Sequence, residues 1–174
     1  MIETLNIFFH VIFLFILNLL SKKIYFLKFQ YKENIQIFSN IIIISILLLF
    51  SFLNLKIFFV VNFFYFVVCL NLFFLLKDKE IKFFFDENNL VLFFVIVILS
   101  IYLSVNLKLG WDAQNYWILR YLNFKNELGI ENISNLTRPD YPFLGSYIWA
   151  IFSETSFLNF EYLGRIYFIY IFCI

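Results

Sequence analysis

The chain has 174 residues, of which 63% are hydrophobic, 24% aromatic and only 14% charged. A soluble domain of this size cannot hide so much apolar surface, so the bilayer is its natural solvent. The net charge of +1 excludes a general electrostatic attraction to nucleic acid.

The first apolar run is Leu5 to Leu20, broken by His10 and Asn18. It is short against the about 20 residues needed to cross a bilayer core, but flanking residues extend its reach. His10 reads as a satisfied or interfacial residue. Glu3 stands where a signal peptide has a basic region, and no small-residue cleavage site follows, so no signal peptide is expected. A basic connector with Lys22, Lys23, Lys28 and Lys32 precedes the second run, Ile35 to Leu53. A tight turn, Asn54 to Lys56, leads to the third run, Ile57 to Leu76. The charged stretch Lys77 to Asn89 separates this from the fourth run, Leu90 to Leu107. After the loop Lys108 to Tyr141, a fifth span is expected from Pro142, fading near Ser156, and a sixth from Tyr162. Glu154 and Glu161 then mark a connection on the inner side, and Arg165 reads as a positive anchor there. Cys69 and Cys173 lie in apolar runs, as small hydrophobes.

The expected fold is therefore all-α: a polytopic membrane protein of about six transmembrane helices, with an interfacial helix in the outward loop between the fourth and fifth. Residues 1–89 form an N-terminal group of three spans. Residues 90–174 form a second unit of span, loop and two further spans. Loops after the first and third spans carry seven basic residues and the opposite side carries five, which favours the first side as cytoplasmic. The apolar runs lack small-xxx-small interfaces, so the first four helices should pack through bulky side chains, and tight packing is expected only after Gly110.

Every Gly, Pro, Ala, Trp and Arg lies at or beyond Gly110. Residues that shape backbone or bind anions are thus concentrated around one loop. Within it, Ala113, Tyr116, Trp117, Arg120, Tyr121, Phe124 and Leu128 recur at helical spacing. The pattern predicts an interfacial helix with its aromatic face toward the acyl chains, Asp112 at its N-terminus and Gly129 as its C′ stop. Tyr116 and Arg120 follow Asp112 on one face. Asp112 serves as an N-cap, and a carboxylate at that place is also able to take a proton or hold a divalent cation. Arg120 is a headgroup contact or a clamp on a lipid-linked phosphate. In Arg138-Pro139-Asp140-Tyr141-Pro142 the two prolines stiffen the return to the membrane, and Asp140 supplies a second carboxylate.

GWDAQNYWILRYLNF, then RPDYPFLGSYIWAIF, then EYLGRIYFIYIF resembles the start of a GT-C class integral-membrane glycosyltransferase, over about residues 90–174. The likeness sets Asp112 as the acid of the first outward loop, Asp140-Tyr141-Pro142 as the proline step and Arg165 as the later arginine. It implies a polyprenyl-phosphate sugar as donor, a glycan or lipid as acceptor, and an integral position in a bacterial inner membrane with loop 108–141 outward. By the same resemblance Asp112 activates the acceptor, alone or with Mg²⁺ or Mn²⁺. Arg120, Arg138, Asp140 and Tyr116 then hold substrate. Family members have more spans, so a fragment is expected. The alternative is a non-catalytic polytopic subunit, scaffold or transporter fragment. Spans two and three contain no acid or base between Ile41 and Leu53 or between Ile57 and Leu76, which argues against an ion-coupled pathway.

Overall fold

A computed structural model describes residues 2–18, 34–77, 87–105, 108–111, 113–136, 138–140, 142–155 and 160–174. Among them every regular element is helical. The apolar runs become α1 (Ile2–Leu17), α2 (Asn34–Phe52), α3 (Ile57–Lys77) and α4 (Glu87–Ser100), which continues as a π-helical turn, Ile101–Val105. The loop holds a π-helical turn, Ala113–Trp117, running into α5 (Ile118–Lys125), and then a 3₁₀ helix, Ile130–Asn135. α6 (Leu144–Glu154) and α7 (Leu163–Cys173) complete the chain.

Phe-, Ile- and Val-rich stretches have no strong helix propensity. In an apolar medium the helix is still favoured, because it satisfies every backbone polar group within one segment. Side chains obey the same constraint. Asn18, Asn40 and Asn62 each donate from Nδ2 to the carbonyl four residues back at 2.8 Å. Others close the open end of α1, whose last carbonyls lack helical partners. Asn71 Nδ2 donates to Ile16 O at 2.7 Å, and Ser39 Oγ donates to Asn18 O at 3.0 Å.

Those bonds bring the end of α1, the start of α2 and the end of α3 together. Gln36 donates to Asn89 at 3.4 Å and adds the start of α4. The opposite end gathers the start of α1, the α2–α3 turn and the loop. α3 is the one described helix long and apolar enough to cross a membrane, and α1, α2, α4 and α7 are shorter apolar helices. Outward-facing Phe58, Phe59, Phe66, Phe73, Phe94 and Ile98 leave α3 and α4 apolar on their outer sides.

α6 differs from expectation. Its 11 residues rise about 16 Å at 1.5 Å each, against a ~30 Å hydrocarbon core. It runs alongside α5 in the same direction: Ser146 meets Trp117 near one end, and Glu154 meets Lys125 at the other. The expected fifth span is thus a short helix laid along the loop helix. Glu154 pairs with a residue of the loop, and Glu161 precedes α7 beside Tyr162, which feels the Glu3 carboxylate at the start of α1. Arg165 belongs to the same end. It pairs with Glu161 at 2.8 Å and lies over the Trp149 ring.

α6 and α7 approach most closely at Gly164, where a Cβ atom would lie 2.2 Å from Trp149 O and 2.5 Å from its ring. Only glycine admits that backbone contact. The tight packing expected after Gly110 is realised here. Gly164→Ala should destabilise the fold by about 1–3 kcal/mol, the usual cost of overpacking. Thermal unfolding of the detergent-solubilised protein measures it, and an unchanged midpoint would show that the contact is not tight.

Candidate functional site

The site is the polar cap formed by α5, the 3₁₀ helix and α6 on one end of the bundle. Its first member is the α2–α3 turn. Asn54 adopts φ 53°, and Leu55 N–H donates back to Phe50 O at 3.1 Å, the pattern of a left-handed helix cap. Asn54 Oδ1 then accepts from Ile130 N–H at 3.2 Å. α5 ends in the same way, but at Glu127 (φ 57°) and not at Gly129, with Leu128 N–H donating to Asn123 O at 3.0 Å. The Glu127 carboxylate reaches Lys56 at 3.3 Å, a partner no local pattern could indicate. Gly129 is needed for a different reason: a Cβ there would fall 2.2 Å from the Asn54 side chain.

The buried residues of α5 are Arg120, Tyr121, Asn123 and Phe124. Its aromatic face therefore packs on α6 and not on lipid: Tyr121 lies 5.1 Å from the Trp149 ring, and Phe124 meets Tyr147 edge-on at 5.0 Å. Leu119 and Leu122 face outward instead. A polar seam runs along the α5–α6 contact. Ser146 Oγ donates to Trp117 O at 3.2 Å and Ser153 Oγ to Tyr121 OH at 3.3 Å. The Lys125 ammonium contacts Tyr121 OH at 3.2 Å and Glu154 at 3.1 Å. Burial opposes the Lys125 charge, but hydrogen bonds to Glu154 and Tyr121 outweigh it and leave its pKa raised. Beside this pair lies a cavity of about 330 Å³, lined by Ile57, Asn62, Tyr65, Lys125, Glu127 and Glu154 among others.

The residues singled out from the sequence fall in three places. Asp112 and Tyr141 lie outside the described residues. Arg120 is fully buried, and its guanidinium donates to Tyr116 O at 3.0 Å and to Arg138 O. It ties the helix to the 138–140 turn. Tyr116 is half-buried, with its ring edge-on to Trp111 at 5.5 Å. Arg138 takes φ 59° and pairs with Asp140 at 3.3 Å, both side chains mostly exposed. The structure thus joins Arg120, Tyr116, Arg138 and Asp140 through the Arg120 side chain. It does not aim the two guanidinium groups at one shared point. Among the described residues no three His, Cys, Asp or Glu side chains come together to hold a metal ion. Asp140 is engaged by Arg138, and Asp112, on which the metal expectation rests, lies outside the described residues, so no step is routed through a metal ion.

Lys125 and Glu154 were not foreseen as a pair. The hint was available in one form only: each is a charge set in an otherwise apolar helical face. Comparison with family models, curated proteins and solved structures finds no match for this chain.

With side-chain exposures of 30% and 22%, the Lys125–Glu154 pair is worth on the order of 1 kcal/mol. Its contribution is complete below the ordinary lysine value of 10.5 and is lost as pH rises through the raised value in the folded chain. The difference in unfolding midpoint between wild type and Lys125→Met should therefore be positive near neutrality and close in alkali. A difference independent of pH would mean that packing of the lysine stem, not its charge, stabilises the seam.

Proposed function

We propose that the chain is a multi-pass membrane protein whose capped end begins a lipid-linked sugar-transfer site of the GT-C type. One observation carries this reading. The loop folds back as a helical layer on one end of an apolar bundle and borders a cavity with Lys125, Glu127 and Glu154. Exposed apolar surface on α2, α3 and α4 suits acyl chains, and the cap keeps charge at the bundle end. In this reading α1 to α4 and α7 cross the bilayer, and the cap faces outward with the start of α1.

The roles are those the GT-C resemblance implies. Asp112, immediately before the cap helix, takes the proton of the acceptor hydroxyl as it attacks the anomeric carbon and the polyprenyl phosphate departs. Arg120 sets the position of the Arg138 turn. Arg138 steadies the departing phosphate, and Lys125 lines the neighbouring cavity. The second reading, a non-catalytic membrane subunit, is favoured by the commitment of Arg120 donors to backbone carbonyls and of Arg138 to Asp140.

Membranes from cells expressing the chain, given a polyprenyl-phosphate hexose labelled in the sugar, distinguish the two. Transfer should be seen in wild type and fall by about 100-fold or more in Asp112→Asn, the scale of a lost general base, with insertion unchanged. Full transfer by Asp112→Asn removes Asp112 from the chemistry. Absence of transfer by wild type across hexose donors supports the subunit.

A further inference from the structure

The cavity of about 330 Å³ beside the cap is a groove between the start of α3 and the ends of α5 and α6. Ile57 and Val61 form its buried floor, and Phe58 and Asn62 stand exposed at its rim. The other wall carries charge, from Lys125, Glu127 and Glu154. Lys125 reaches Glu154 Oε1 at 3.1 Å. Lys56, just outside the groove, reaches Glu127 Oε2 at 3.3 Å. Two cations and two carboxylates therefore balance at one place.

The groove continues into hydrocarbon. Phe58, Asn62, Phe66, Cys69, Phe73 and Leu76 recur at steps of three and four along α3, and all are exposed. Beyond Asn62 that stripe is apolar. A ligand fitted to both parts is an amphiphile, with its head in the groove and its chains on the stripe. The cavity is near the lower end of the roughly 300–1,000 Å³ usual for ligand sites, so it admits a head group and not the chains. Because the local charges cancel, a head of net charge leaves an imbalance, whereas a zwitterion meets both signs. Its cation should be a hydrogen-bond donor. A carboxylate has about four acceptor sites, so one lysine does not exhaust either acid. A quaternary ammonium is instead held by an aromatic cage. Among the described lining residues the aromatic ones are Phe58 and Tyr65, and the Tyr65 hydroxyl donates to Thr155 O at 2.8 Å.

We infer that this groove binds the head of a zwitterionic phospholipid with a primary ammonium, of the phosphoethanolamine class. The ammonium donates to Glu127 and Glu154, the phosphate faces Lys56, and an acyl chain follows Phe66 and Phe73. A lipid seated in this way ties the ends of α5 and α6 to α3 at the bilayer surface. The inference rests on the membrane placement proposed above and is independent of sugar transfer.

The test titrates the chain, purified in mild detergent, with dioleoyl phosphatidylethanolamine and reads bound lipid by native mass spectrometry. This lipid should bind about tenfold more tightly than phosphatidylcholine or phosphatidylglycerol with the same chains, the scale of one charge-assisted hydrogen bond. Glu127→Gln should remove most of that preference. Asn62→Trp, which fills the groove from its exposed side, should abolish binding. Circular dichroism shows that each variant is folded. Soluble phosphoethanolamine, which has no chains, should not compete at equal concentration. Equal affinity for the choline or glycerol lipid, or binding that survives Asn62→Trp, would overturn the proposal. Competition by the soluble head at equal concentration would overturn the lipid source. Flotation with liposomes reads the membrane premise separately: a chain that does not float contradicts that premise. A chain that floats but binds the three lipids alike contradicts the site alone.

Discussion

The seam between α5 and α6 is the interaction on which the cap depends. Two short helices lie in the same direction, joined by Ser146 to the Trp117 carbonyl, by Ser153 to Tyr121 and by Lys125 to Glu154. α5 has only eight residues, and helices that short do not persist in water alone. Its order comes from burying Tyr121 and Phe124 on α6. α6 in turn is held by α7, where Gly164 lets two backbones touch. These contacts are coupled: α5 rests on α6, and α6 rests on α7.

The same constraint explains where chemistry is placed. Helices made of Phe, Ile, Leu and Val offer no donors or acceptors beyond their own ladders, and Asn18, Asn40, Asn62 and Asn71 are spent on carbonyls of the same or an adjacent helix. Charge that must be kept accessible is therefore moved to the bundle end. There Lys56 meets Glu127 and Lys125 meets Glu154 beside a cavity. His10 is the exception, a polar ring set among aromatic side chains.

Most helices were legible in the sequence because unbroken apolar runs in α1 to α4 permit little else. The loop helix was legible from the spacing of its aromatic residues. Its facing was not: Tyr121 and Phe124 look equally suited to lipid and to α6, and only the path of the chain after Pro142 decides between them. The stop at Glu127 was hidden because glutamate carries no local signal for a left-handed turn, and its carboxylate partner, Lys56, is distant in sequence. Gly129, the natural reading, is present for the close approach of Asn54. The length of α6 was hidden for a related reason. An apolar stretch after two prolines reads as a span, whereas the helix there has only 11 residues. The arginines of the loop could be recognised as important but not as structural, because the acceptors of Arg120 are backbone carbonyls, which a sequence does not display.

Sided labelling tests the central claim, that the start of α7 lies at the same end as the loop and the α2–α3 turn. With Cys69 and Cys173 replaced by serine, single cysteines are introduced as Lys56→Cys, Glu161→Cys and Asn89→Cys and exposed to a membrane-impermeant thiol reagent in intact cells. The structure places Lys56 with the loop, Glu161 beside the start of α1 and Asn89 at the opposite end near Gln36. Labelling of the first two positions together, with Asn89→Cys protected until the membrane is opened, is the result expected. Labelling of Glu161→Cys together with Asn89→Cys, from the face opposite Lys56→Cys, would contradict the account and restore a full fifth span.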